Sequence, residues 1–112
     1  MTTIKFNIIS SSNNCYDVVF EKNDAGLISV CSCAAGQHGQ LCKHRLEILN
    51  GDVSSITSKN EHDVAVVSAW LKGTEVEKAL KQISVAEECY ETAKKNLSSA
   101  KKRLSRLLNG YQ

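Results

Sequence analysis

The chain has 112 residues, of which 23% are charged, 42% are hydrophobic and only 5% are aromatic. These values are ordinary for a soluble globular protein and predict one compact domain, or a small domain with an appendage. No apolar run is long enough to span a bilayer, and the N-terminus lacks the pattern of a secretory signal. We therefore expect an intracellular, cytoplasmic protein without a membrane partner. Thiols stay reduced there, so the five cysteines favour metal binding over a disulfide framework.

The net charge of +2 is unevenly distributed. Residues 1–58 carry four Lys or Arg and five Asp or Glu. Residues 59–112 carry ten Lys or Arg and seven Asp or Glu. An anionic partner would therefore be attracted mainly by the second half.

Three strands are predicted first. The alternating apolar residues of segment 3–10 indicate a half-buried strand, and the β-branched and aromatic residues of segment 15–22 indicate a second. The sequence Asn-Asp-Ala-Gly at 23–26 has the chemistry of a tight turn, so residues 27–31 are expected to return as a third strand.

A loop and a short helix follow the strands. Residues 34–41 are small and polar and show no periodicity, which predicts a loop. Residues 42–50 predict a short helix in which Leu46 and Leu49 face inward, closed by Asn50-Gly51.

A further helix is predicted after a linker. Ser58 and Glu61 have the spacing of a capping box, which indicates a helix through Lys72. The β-branched residues 64–67 within it also fit a strand. Gly73 is expected to end this element.

The last predicted helix is long and carries a regular heptad seam. Thr74 and Glu77 form a second capping box, and no Gly or Pro follows until Gly110, so the helix would extend about 50 Å. Taking Val76 as position a, the a and d residues are Val76, Ala79, Ile83, Ala86, Tyr90, Ala93, Leu97, Ala100, Leu104, Leu107 and Tyr111. Alanine at four successive d positions allows close helix approach. Because the preceding helix is too short to cover the seam, we predict a homodimer with antiparallel helices.

Cysteine and histidine cluster at one place in the chain. Cys31-x-Cys33 ends the third predicted strand, and Cys42-x-His44 begins the short helix after eight intervening residues. Zinc prefers thiolate and imidazole ligands, and four protein ligands make a closed, structural site. The sequence therefore predicts one structural Zn²⁺, with His38 in the intervening loop as the alternative to His44.

These residues resemble the SWIM zinc finger. The string CSCAAGQHGQLCKHRLEIL is similar to that family in its ligand order C-x-C-x8-C-x-H, in the glycine before the third ligand and in its C-K-H-x-L tail. The resemblance covers about residues 16–49 and implies a β-hairpin leading into the first two cysteines and a helix carrying the last cysteine and the histidine. It also implies binding to DNA or to protein. No family is assigned to the C-terminal helices.

Together these features predict an α+β protein with two regions. Residues 1–57 would form a SWIM-type module, with a small antiparallel sheet and a short helix organised by zinc. Residues 58–112 would form a helical hairpin with a long coiled-coil-like C-terminal helix. An enzyme is not expected, because the site has no open coordination position, no adjacent carboxylate base and only an isolated His62 beyond it. No small-molecule substrate is predicted, and Cys15 and Cys89 are expected to be inert.

The charge of the long helix changes sign along its length. No acid follows Glu91, and six cations do. The residues predicted to contact nucleic-acid phosphates are Lys43, Arg45, Lys94, Lys95, Lys101, Lys102, Arg103 and Arg106. The first hypothesis is thus a DNA-binding accessory factor that recognises the backbone without reading sequence. The alternative is a protein-interaction adaptor or inhibitor, for example encoded by a phage or mobile element, that acts through the coiled coil, with zinc purely structural.

Overall fold

A computed structural model describes residues 2–110, and it confirms the predicted α+β class. The elements are β1 (Thr3–Ile9), β2 (Cys15–Asn23), β3 (Gly26–Cys31), α1 (Ala34–Gln37), α2 (Lys43–Leu49), a 3-10 turn (Glu61–Asp63), α3 (Val64–Leu71) and α4 (Glu75–Leu108). Residues 1–77 form one compact unit and residues 78–112 a second. The predicted seam residue Tyr111 lies outside the described residues.

The three strands form an antiparallel sheet in the order β1-β2-β3. The hairpin between β2 and β3 is closed where Asn23 pairs with Gly26, and Gly26 has the positive φ of 130° that the turn sequence predicts. All three predicted strands are confirmed, because a period of two is a local signal that needs no knowledge of the rest of the chain.

One face of the sheet carries the core. Phe6 and Phe20 are fully buried and meet edge to face, with their ring centroids 6.1 Å apart. The helices and the segment before them contribute Ile48, Ile56 and Val67 to the same buried set. Such a small core gives limited stability by burial alone, so a cross-link at one end of the sheet matters to the whole unit.

The predicted capping box at Ser58 and Glu61 is wrong. The Ser58 hydroxyl accepts a hydrogen bond from the Asn7 backbone N–H at 3.0 Å and donates to the Asn60 side chain. The segment around it runs along the free edge of β1, with a bridge between Ile8 and Ile56. The β1 edge thus takes the hydroxyl that the helix would need, and α3 begins at Val64 without a side-chain cap.

The helical assignment of the β-branched stretch is confirmed. α3 packs against α2 and β3 and buries Val64, Val67 and Leu71, which lie three and four residues apart on one helical face. Gly73, with φ of 79°, separates α3 from α4.

The second predicted capping box is confirmed. The Thr74 hydroxyl accepts from the Glu77 N–H at 3.3 Å, and the Glu77 carboxylate accepts from the Gly73 N–H at 3.3 Å. α4 then continues for 34 residues, none of which is buried. Among residues 2–110, no helix is both long enough and apolar enough to cross a membrane.

Candidate metal centre

The structure brings together the four residues that the sequence predicts as ligands. Cys31, Cys33, Cys42 and His44 are all buried, and their ligand atoms lie within 4.8 Å of one another. Cys31 is the last residue of β3, Cys33 caps α1, and Cys42 caps α2, which carries His44 in its first turn. A strand end and two helix starts therefore converge on one point.

The end of β3 is anchored before the chain turns away. Cys31 lies opposite Val18 in the sheet register and shares its buried face. The next residue, Ser32, donates its N–H to the Asp17 carbonyl at 3.0 Å, and its hydroxyl accepts from the Asp17 N–H at 2.9 Å. These bonds extend the pairing by one residue and fix the direction in which Cys33 leaves the sheet.

Two of the sulfurs accept hydrogen bonds from the backbone. Gly36 N–H donates to Cys33 Sγ at 3.3 Å, and Arg45 N–H donates to Cys42 Sγ at 3.4 Å. The two cysteines thus occupy equivalent positions, each accepting from the residue three places later. Such bonds stabilise the charged form of sulfur, which is the form that binds metal.

The residues predicted as a loop contain one helical turn, α1, and Gly36 is the reason it fits. A Cβ built on Gly36 would lie 2.3 Å from the Cys31 carbonyl oxygen. The α1 turn therefore packs directly against the backbone of the first ligand, which only glycine permits. The small residues of this loop are evident from the sequence, but the contact with Cys31 depends on the folded path of the chain.

His44 is held in the site by packing. Its Nδ1 lies 3.9 Å from Cys31 Sγ, and its ring stacks at a tilt on Tyr16, with centroids 5.3 Å apart. The other ring nitrogen, Nε2, is buried without a hydrogen-bond partner among the described residues. Because an unpartnered buried nitrogen costs free energy, a metal bound through Nε2 would remove this cost, whereas a metal bound through Nδ1 would not.

The pKa values of the ligands are shifted in different directions. Burial raises the pKa of the Cys31 thiol to about 12. Burial also acts to raise the pKa of Cys42, but hydrogen bonds from the backbone and side chain of Arg45 outweigh it and hold that pKa below its usual value. Burial, together with the charge of Lys43, lowers the pKa of His44, which keeps the imidazole neutral and able to act as a ligand.

The donor set fits a structural zinc ion. Three thiolates and one imidazole are the ligands zinc prefers, and tetrahedral bonds of about 2.0–2.3 Å imply donor separations of about 3.6–3.8 Å. The separations here, up to 4.8 Å, require only a small contraction. When bound, the ion supplies a cross-link between β3 and α2 rather than an open coordination position.

Arg45 supports this site from outside the donor set. Besides its backbone bond, its Nε donates to Cys42 Sγ at 3.4 Å, and its guanidinium donates to the carbonyls of Ser29, at 3.1 Å, and Gln40. It therefore ties the third ligand to β3 and to the end of the ligand loop. A guanidinium also offsets the net negative charge that three thiolates leave on a zinc site.

The other histidine and cysteine residues considered as ligands or as inert thiols lie outside the cluster. His38 is exposed at the end of α1 and is not one of the four clustered residues. Cys15 and Cys89 are exposed free thiols. In α2 the buried residues are His44 and Ile48, one turn apart on the face that packs on the sheet, whereas Leu46 and Leu49 are only half-buried. The prediction that Leu46 and Leu49 form the inward face of α2 is therefore wrong, and the buried face carries His44 and Ile48.

Comparison with known proteins adds no family to these observations. No protein-family model, curated protein or solved structure matches the chain.

Zinc binding is expected to release protons and to strengthen as pH rises. Cys31, with its pKa of about 12, is a neutral thiol at pH 7 and must lose its proton to bind, whereas His44 is already neutral. Calorimetry of the zinc-free protein in two buffers of different ionisation enthalpy measures the released protons. Cys42→Ser should lose binding and Cys15→Ser should retain it. Binding that is the same at pH 6 and pH 8 would contradict this interpretation.

Substituting Gly36 with alanine should damage the metal centre. The added Cβ would meet the Cys31 carbonyl, and overpacking of this kind costs about 1–3 kcal/mol or more. Gly39→Ala is the matched control, because Gly39 has open space around it and only its φ of 73° is unfavourable, at about 1–2 kcal/mol. Zinc affinity measured by competition with a chelator should fall for Gly36→Ala and stay close to the parent value for Gly39→Ala.

Arg45→Gln should weaken zinc binding about 10- to 100-fold, the usual effect of removing a residue that supports metal ligands. Lys43→Gln removes the same charge from the neighbouring position, where the side chain is exposed and reaches only Ser11. Zinc competition, with Co²⁺ absorption as a report on ligand geometry, compares the two variants. Equal losses would show that overall charge, and not the bonds from Arg45, sets the affinity.

Proposed function

We propose that this chain is a non-enzymatic, SWIM-type zinc module that binds nucleic acid through the phosphate backbone, using the basic half of α4. Zinc would stabilise residues 1–77, and the cations of α4 would supply most of the affinity. The observation that carries this proposal is the placement of those cations.

The basic residues of α4 form an uninterrupted, exposed surface. They are Lys94, Lys95, Lys101, Lys102, Arg103 and Arg106, and all are exposed. None of them forms a salt bridge within residues 2–110, and no acidic residue follows Glu91. At 100° per residue, all but Arg103 fall within an arc of about 140° on the helix. A charged face of this kind suits a polyanion, whose condensed counterions are released on binding.

The cations of the metal region contribute unequally to this proposal. Lys43 is exposed and remains a candidate phosphate contact. Arg45 is half-buried, and its guanidinium is engaged by Cys42, Ser29 and Gln40. We therefore place Arg45 with the metal centre and leave phosphate binding to Lys43 and the α4 residues.

The absence of catalysis remains part of the proposal. Four protein ligands would complete a tetrahedral zinc site and leave no position for substrate or water. The side chain of His62, the histidine outside the ligand region, is 78% exposed, and its Nε2 lies 3.4 Å from the carboxylate of its neighbour Asp63. Neither feature is typical of a catalytic site, where titratable groups are usually enclosed in a cleft.

A second candidate function is a protein-interaction adaptor or inhibitor. A cleft of about 180 Å³ in the first unit is lined mainly by apolar side chains, among them Leu27, Ile28, Leu41 and Leu49. Ile28 and Leu41 at its rim are 52% and 57% exposed. Exposed apolar residues beside a cleft suit an apolar side chain of a partner protein, in which case zinc has a purely structural role.

Duplex binding at two salt concentrations distinguishes these functions. We expect affinity to fall steeply with salt, and Lys101→Glu/Lys102→Glu to reduce the slope of log K against log salt by about 2. Lys59→Glu/Lys72→Glu makes the same charge change on exposed residues of the first unit and should leave the slope nearly unchanged. No binding to duplex or single strands at low salt would rule out the nucleic-acid function and favour the adaptor.

A further inference from the structure

We propose that α4 pairs antiparallel with α4 of a second copy of this chain, in one register whose two-fold axis passes between residues 91 and 92. The proposal rests on an exposed apolar seam and on charges at the e positions, which in that register attract without a like-charge pair, unlike in the neighbouring heptad registers. It is independent of nucleic-acid binding.

Among the described residues of α4, the large seam residues from Tyr90 onward are exposed. Tyr90, Leu97, Leu104 and Leu107 are 65%, 56%, 58% and 51% exposed, and no residue of the helix is buried. They recur at heptad spacing along one stripe, which is a pattern for contact with another helix rather than scattered surface residues.

Side-chain size selects an antiparallel partner. Large residues occupy the a positions of α4, alanines occupy four of the five d positions, and antiparallel helices place a residues against d residues. With the axis between residues 91 and 92, the a residues from Ile83 to Leu104 each face an alanine of the partner, and Val76 faces the partner's Leu107. The opposed pairs, each occurring twice, are Ile83 with the partner's Ala100, Tyr90 with the partner's Ala93, Leu97 with the partner's Ala86, and Leu104 with the partner's Ala79.

Charge selects the register. In the proposed alignment the e-position residue Glu87 lies beside the partner's Lys94, and symmetry repeats this pair on the same edge of the seam. A shift of one heptad in one direction brings Glu87 against the partner's Glu87. The opposite shift brings Lys94 against the partner's Lys94. Each shift therefore introduces a like-charge pair that the proposed register lacks. The second shift also brings Glu87 beside the partner's Lys101, but of the three registers only the proposed one has attractive e-position pairs and no repulsive one.

The orientation follows from the same charges. A parallel pair would align the acidic halves with each other and the basic halves with each other. The antiparallel pair places the acidic half, ending at Glu91, along the partner's basic half, which begins at the partner's Lys94. Charge complementarity over the whole length therefore agrees with the pairing of large and small residues.

A charge-swap series on the full, zinc-loaded chain tests the pairing. Analytical ultracentrifugation should show a dimer whose dissociation constant rises about tenfold in Glu87→Lys and in Lys94→Glu, since each converts two attractive pairs into repulsive ones. Glu87→Lys/Lys94→Glu should restore the parent value. Residues seven apart on one helix are separated by about 10 Å, so the rescue would have to come from the partner.

A spin label reports the orientation separately. With Cys15→Ser and Cys89→Ser as background and zinc bound, a nitroxide on Ser105→Cys should give an interlabel distance of about 40 Å in the proposed register. A parallel dimer would place the two labels side by side. A monomer at high concentration, a double swap that does not rescue, or a short interlabel distance would each overturn the proposal. Circular dichroism confirms that each variant keeps its helix.

Discussion

The first unit depends on the convergence of β3 and α2 at four metal-binding side chains. Without a metal this arrangement is unfavourable: the Cys31 thiol is buried, three sulfurs are crowded together, and a ring nitrogen of His44 is enclosed without a partner. An ion that binds all four donors would offset the cost of the buried, crowded sulfurs, and also that of the imidazole if it is bound through Nε2. Binding free energies of structural zinc, on the order of 10 kcal/mol or more, are comparable to the whole stability of a small domain. If the cluster holds zinc, metal binding and folding of this unit would form one equilibrium.

Both edge strands of the sheet are bonded to other segments of the first unit. The guanidinium of Arg45 bonds to the Ser29 carbonyl on β3 while it bonds to the Cys42 sulfur, so the third ligand is fastened to the sheet. On the opposite side, the backbone of segment 55–58 bonds to β1, and the Ser58 hydroxyl accepts from Asn7. Exposed strand edges invite pairing with other chains. With its outer strands engaged in this way, the sheet is a poor template for pairing with a strand of another chain. A partner of the first unit would therefore bind to side chains on its surface.

What the sequence predicts well is what local patterns determine. The three strands follow from alternation and turn chemistry, the start of α4 from Thr74 and Glu77, and the four donors from their spacing. Two features that the sequence misses depend on contacts made only in the folded chain. Ser58 has the pattern of a helix cap, but a strand about 50 residues earlier takes its hydroxyl. The need for glycine at position 36 appears only when the chain folds back on Cys31. No local pattern encodes either contact.

The two proposals for α4 use largely different parts of one helix. At 100° per residue Lys94 and Lys101 lie at the edge of the seam, whereas Lys95, Lys102 and Arg106 fall on a separate arc, so pairing through the seam leaves these three facing solvent. Antiparallel pairing would also place the two basic segments at opposite ends of the dimer. Two such segments on one pair of helices can bind the same nucleic-acid backbone. Once the first segment is bound, binding of the second is intramolecular, which raises the overall affinity. An isolated helix with so many unpaired cations gains little stability from its own sequence, since most helix stability in proteins comes from packing of an apolar face. Burial of the seam would provide that packing, and the basic surface would be the part left to bind.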